Sequence, residues 1–142
     1  CIEGDDTDGH IDNLARFYND KGILVAGAVD QGDTNYEMLR RLQEDCYNLK
    51  LCSGQPDITV LPLPDPVYRE GNRLPMSSLN FFVTNGAVFV PIYNQSESDS
   101  RALEIIGKAY PDRDIQSVDC RTLILEGGAL HCLTQQVPQS SQ

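Results

Sequence analysis

Apolar and polar positions along the chain run in short strand-like stretches, then switch to helical spacing, twice in the same order. The first strand-like stretch, Asn13 to Tyr18, leads through the polar turn Asn19–Gly22 to a second, Ile23 to Ala26. Thr34 and Glu37 have capping-box spacing, and Tyr36, Leu39, Leu42 and Cys46 then recur at helical intervals. Ile58 to Leu63 reads as a returning strand. The pattern repeats with Leu79 to Val83, a turn at Asn85-Gly86, and Ala87 to Val90. Asn-Gly suits a type I′ hairpin turn, which needs positive φ at both central residues. Asp99 is placed to cap a helix carrying Ala102, Leu103, Ile106 and Ala109, which stops before Pro111. Asp114 to Val118 is the strand that follows.

The unit is therefore hairpin, helix, strand. A third hairpin is predicted from Thr122–Leu125, a turn near Gly127-Gly128, and Ala129–Leu133. The turn glycines Gly22, Gly86 and Gly127 are unevenly spaced because a Pro-rich stretch from Leu61 to Pro75 lies in the first interval. Repeated units that cannot bury their own faces stack on neighbours. The polar residues 139–142 read as a disordered tail.

Composition narrows the function classes. The chain has 142 residues, the length of one domain. Eleven Lys and Arg stand against 21 Asp and Glu, a net charge of −10, which argues against a nucleic-acid binder, since that needs a basic face. The same charge fits a cationic ligand or simply an acidic, solvated surface. No run approaches the ~20 apolar residues of a membrane span. Five cysteines without a C-x-x-C pair, and two histidines, read as reduced thiols in a cytoplasmic protein rather than a disulfide framework or metal site. The first residue is Cys with no leader before it, which reads as a processed chain or part of a longer one.

Reactive residue types concentrate in two segments. In the first, Asp5 to Asn13, an extended backbone would put His10 and Asp12 on one face. Such a pair suits acid–base work and cation binding. A solvated acidic loop or an oxygen site for calcium is the alternative, although the remaining calcium-loop ligands are missing. In the second, Glu126 to Gln136, Gly127-Gly128 allow a close backbone approach. Cys132 follows at the start of the expected strand. His131, its neighbour, would then point to the opposite face and be a poor partner base, whereas His10 is free to meet Cys132 in space. Cys46, Cys52 and Cys120 read as inert, Cys46 lying on the apolar helix stripe.

Three motifs together carry a resemblance. They are Asp6-Thr-Asp8-Gly9-His10-Ile-Asp12-Asn13-Leu-Ala-Arg-Phe17; Leu79-Asn80-Phe81-Phe82 with Asn85-Gly86; and Gly127-Gly128-Ala-Leu-His131-Cys132-Leu-Thr-Gln135-Gln136. In that order they resemble the carboxy-terminal part of agmatine deiminases and bacterial peptidylarginine deiminases, over residues 1–138. The sequence departs from that pattern at Glu126, where a third Gly is common, and at Ala129, where Asn is.

The resemblance implies an α/β fold of pentein type, a five-bladed α/β propeller to which this chain supplies about two and a half units. It implies that Cys132 is the nucleophile toward a guanidinium carbon. It also implies that His10 is the acid and then the base, and that Asp12 grips one edge of the guanidinium. Asn80 lines the site or closes a turn. Asp6 and Asp8 orient His10 or solvate the loop, with Asp6 a candidate for substrate binding. Gln135 and Gln136 satisfy nearby backbone groups. No cofactor or metal is implied. The substrate implied is agmatine, giving N-carbamoylputrescine and ammonia on the route to putrescine. The alternatives are a peptidylarginine or other guanidine deiminase, and a binding or assembly module with an incomplete site. Further acidic residues are implied from an amino-terminal half or a partner chain. Exposed strand edges invite pairing with that half, a partner or a second copy.

Overall fold

The computed structural model describes residues 1–7 and 9–137. Strand β1 (Ala15–Phe17) pairs antiparallel with β2 (Gly22–Gly27), Phe17 opposite Ile23. Helix α1 (Tyr36–Tyr47) then carries the chain to β3 (Asp57–Pro62), which lies parallel to β2 from Gly22 opposite Asp57 to Gly27 opposite Pro62. A parallel return needs a crossover of a dozen or more residues, and the helix provides it. The Pro-rich stretch holds a small hairpin, β4 (Tyr68–Arg69) with β5 (Asn72–Arg73). The first pattern then recurs. Strand β6 (Phe82–Val83) pairs antiparallel with β7 (Ala87–Ile92), helix α2 (Ser96–Ala109) crosses, and β8 (Asp114–Asp119) runs parallel to β7. Both three-stranded sheets have the same strand order, hairpin first and parallel strand last.

The apolar pattern explains the packing. All six residues of β2 are buried, as the unbroken run Ile23–Ala26 suggests for a strand covered on both faces. Leu24, Ala26, Leu39 and Leu61 of the first unit meet Leu79, Phe81, Val88, Val90, Ala102 and Ile106 of the second in one continuous core. Arg16 reinforces the junction: its guanidinium donates to the carbonyls of Leu79 (3.2 Å) and Phe81 (3.1 Å) and lies 4.6 Å from the centre of the Phe81 ring. Charge-assisted donation plus a cation–π contact makes Arg16 a clamp between the units.

Several local expectations are corrected. The hairpin at Thr122–Leu133 is not formed; two 3₁₀ turns, Leu123–Glu126 and His131–Leu133, stand there instead. The apolar run at Leu123–Leu125 is too short for periodicity to distinguish a strand from a turn. Its Ile124, with Ala129, is buried among Met76, Tyr93 and Cys120. Residues Ile11–Asn13 also form a 3₁₀ turn rather than an extended strand. Asn85 and Gly86 make a tight turn without positive φ, closed by the Thr84 backbone N–H to the Ala87 carbonyl at 2.8 Å and by the Thr84 hydroxyl. Thr34 does not cap α1; its hydroxyl donates to Glu3 at 2.5 Å. Asp99 does not begin α2 but lies within its first turn, where its carboxylate receives the backbone N–H groups of Tyr93 (3.0 Å) and Gln95 (2.8 Å). The tail at 139–142 and Asp8 lie outside the described residues.

A buried ion pair fixes the amino-terminal segment. Arg73, 6% exposed, makes two parallel 2.8 Å bonds to the Asp33 carboxylate and has Glu3 at 3.6 Å. Hydrogen bonding from Arg73 holds the Asp33 carboxyl below its ordinary range. Asp33 therefore stabilises the fold fully above the unfolded Asp value of about 3.9, and that contribution fades as pH falls through its lowered folded value. Asp33→Asn should cost about 3–5 kcal/mol at neutral pH, because the Arg73 charge is left buried without its main partner. Denaturant titrations should show the gap between the two proteins closing below that acidic threshold. A gap unchanged at low pH would contradict the assignment.

Candidate functional site

Three segments far apart in sequence meet at one point. Gly9 (φ 86°) precedes His10, and the 3₁₀ turn Ile11–Asn13 then buries Asp12 and Asn13. Asn80, fully buried, lies just before β6. The third segment bends at Gly127 (φ 86°), a left-handed conformation that a residue with Cβ rarely adopts, and enters the turn His131–Leu133.

Asn80 uses both ends of its amide. Its Nδ2 donates to Asn13 Oδ1 at 2.9 Å and to Cys132 Sγ at 3.1 Å. Its Oδ1 accepts the backbone N–H of His131 at 2.9 Å and that of Cys132 at 3.4 Å. The Asn80 carbonyl also accepts the His131 N–H, at 3.1 Å. Asp12 Oδ2 receives His131 Nδ1 at 2.7 Å and the Cys132 thiol at 3.5 Å. Burial pushes the Asp12 carboxyl up, but hydrogen bonds from His131 and Cys132 and the charges of His131 and Arg16 bring it below the ordinary value. Asp12 is thus an ionised acceptor beside an exposed thiol.

Gly128 packs against the thiol: a Cβ there would lie 3.0 Å from both Cβ and Sγ of Cys132. Behind it, the buried Tyr93 hydroxyl donates to the Ser77 carbonyl at 3.2 Å and accepts the Ser77 N–H at 3.3 Å. Burial raises its pKa well above the ordinary range.

Of the residues singled out from sequence, Asp12, Asn80 and Cys132 come together. His10 is exposed at the entry to the Asp12 turn, with no side-chain hydrogen bond among the described residues. Asp6 is exposed and lines a groove with Arg73, Leu74 and Gly127, beside the thiol site rather than in it. Gln135 is exposed, and its amide donates to the Gln136 carbonyl at 3.4 Å. His131 is the correction. A strand would have turned it away from Cys132, but about three residues per turn lets adjacent side chains reach the same carboxylate. The Gly-Gly pair before it was the available sign that this backbone need not be extended. Cys46 and Cys120 are buried, and burial raises both thiols, Cys120 to about 11. Cys1 and Cys52 are exposed. Among the described residues no three His, Cys, Asp or Glu side chains converge as metal ligands. No described helix is long and apolar enough to cross a membrane.

Residues 1–138 match the Porphyromonas-type peptidyl-arginine deiminase family. The chain belongs to that family. A solved C. jejuni agmatine deiminase with substrate bound is 36% identical, with a TM-score of 0.84, over 92% of this chain and 38% of that one. The Enterococcus faecalis agmatine deiminase structure is 28% identical, with a TM-score of 0.85, over 94% and 41%. A Latilactobacillus sakei protein, provisionally named an agmatine deiminase, is 32% identical over 94% of this chain and 42% of its own length. The chain therefore spans about two fifths of the curated relatives it matches. These neighbours give the fold its class, an α/β pentein.

The geometry makes Asn80 the part whose loss should be felt most widely. Asn80→Ala should lower stability by about 1–3 kcal/mol for each buried partner left unsatisfied. It should also change the rate of Cys132 alkylation, read by mass spectrometry under native conditions. Gly128→Ala should change that alkylation rate with far less effect on melting temperature. If neither variant alters the thiol's reactivity, the described packing is wrong.

Proposed function

We propose that this chain supplies the nucleophile side of a guanidine deiminase site, with agmatine as substrate and N-carbamoylputrescine and ammonia as products. The observation that carries this reading is the convergence of an ionised Asp12 and a buried Asn80 on the exposed Cys132 thiol. A carboxylate beside a thiol suits a planar cation: the carboxylate accepts its N–H groups while sulfur faces the central carbon.

Cys132 passes its thiol proton to His10, and Sγ forms a bond to the guanidinium carbon. The tetrahedral adduct collapses by breaking one C–N bond, and ammonia leaves with a proton from His10. Water, deprotonated by His10, then adds to the amidino-cysteine, and the C–S bond breaks to release the ureido product and thiolate. Splitting the substitution this way replaces one difficult step with two easier ones. The exposed His10 lies two residues before Asp12, at the entry to its turn, and acid–base hydrogen bonds of this kind form fully only when substrate is bound. Asp6 is placed less directly, in the neighbouring groove, where it contributes negative charge toward a cation.

Two hairpin-helix-strand units in a chain spanning about two fifths of its relatives support a five-unit propeller for the whole protein. In this reading the second carboxylate on the guanidinium comes from sequence the relatives have beyond the matched part. The exposed edges of the two sheets are where the other units join.

The native protein should release ammonia from agmatine, and Cys132→Ala should reduce that release by about a thousandfold or more. Release from a blocked arginine peptide but not from agmatine would transfer the assignment to peptide substrates. Release from no guanidine, with Cys132 inert to a haloacetamidine, would end the enzyme reading and leave a binding module.

A further inference from the structure

We propose that His131 is a positioning residue that aims Asp12 at the incoming cation. The inference rests on the reading of Asp12 as the group that receives the guanidinium. His131 Nδ1 lies 2.7 Å from Asp12 Oδ2, and the imidazole and carboxylate are 28% and 12% exposed. The same oxygen is 3.5 Å from Cys132 Sγ. Asp12 is buried on a three-residue turn, and its side-chain direction is set by the partners of its carboxylate. The backbone under His131 is itself fixed, since its N–H is shared by the Asn80 side-chain and backbone oxygens. The imidazole therefore extends from an anchored point and donates Nδ1–H to Oδ2.

The alternatives around Asp12 do not take this place. Arg16 stabilises the carboxylate by charge, but its guanidinium bonds are to Leu79 and Phe81 carbonyls. Cys132 meets the carboxylate only as a long thiol contact, which is lost once sulfur is ionised. Tyr93 spends its hydroxyl on Ser77. His131 is the described side chain with a short bond to Asp12. Its role is then to fix the orientation of Asp12, not to exchange protons with substrate.

The test compares Cys132 alkylation in the native protein by a cationic haloacetamidine and by neutral iodoacetamide, with kcat and KM for agmatine alongside. His131→Phe removes the donor. His131→Asn keeps an N–H donor near the position of Nδ1 without the ring. The native protein should prefer the cationic reagent. His131→Phe should lose that preference and raise KM by about tenfold or more, since a misplacement of about 1 Å costs on the order of a hundredfold. Its iodoacetamide rate should stay close to that of the native protein, and His131→Asn should recover most of the preference. If His131→Phe keeps the preference and KM, or a folded His131→Asn loses them equally, the positioning role is overturned. If the native protein shows no preference for the cation, Asp12 does not receive it, and both readings fall.

Discussion

The site depends on one buried amide. Asn80 has no exposure, yet each end of its side chain is engaged, with Asn13 and Cys132 on one side and the backbone of the 131–132 turn on the other. A buried amide left unpaired is costly, so these segments are held together by the need to satisfy it. The constraint is directional as well as energetic. An apolar residue of the same size could fill the space, but it could not fix where sulfur sits relative to the Asp12 turn.

That amide is in turn positioned by the way the two repeated units share a core. Asn80 lies between Leu79 and Phe81, both fully buried at the junction, and the carbonyls of those two residues receive Arg16. The core and the site are therefore parts of one assembly: residues that bury the seam flank the one that organises the thiol. The Arg73–Asp33 pair does a similar job farther out, tying the amino-terminal segment to the loop before α1 and to the small hairpin. Each fixes a loop by saturating a buried polar group, which a short loop cannot do by apolar contact alone.

The electrostatics of the site follow from this packing. The buried Asp12 carboxylate is kept ionised because His131 gives it a short hydrogen bond and His131 and Arg16 supply positive charge.

The sequence by itself determined the repeated hairpin-helix-strand order, the strands from Ile23, Ile58 and Ala87, both helices to within a few residues, and the candidate status of Asp12, Asn80 and Cys132. The elements were legible because period-two and period-3.6 burial are written directly into neighbouring residues; Asp12 and Cys132 stood out as reactive residue types, and Asn80 only through the family resemblance of its motif. The tertiary structure alone decided the conformations of the segments at Ile11–Asn13, Leu123–Glu126 and His131–Leu133. It also decided that Thr34 serves Glu3 rather than a helix, and that His131 joins Asp12. Each is a short segment whose backbone groups find partners distant in the chain. Local propensity has little weight there, and the geometry is set by what must be satisfied once the core has closed.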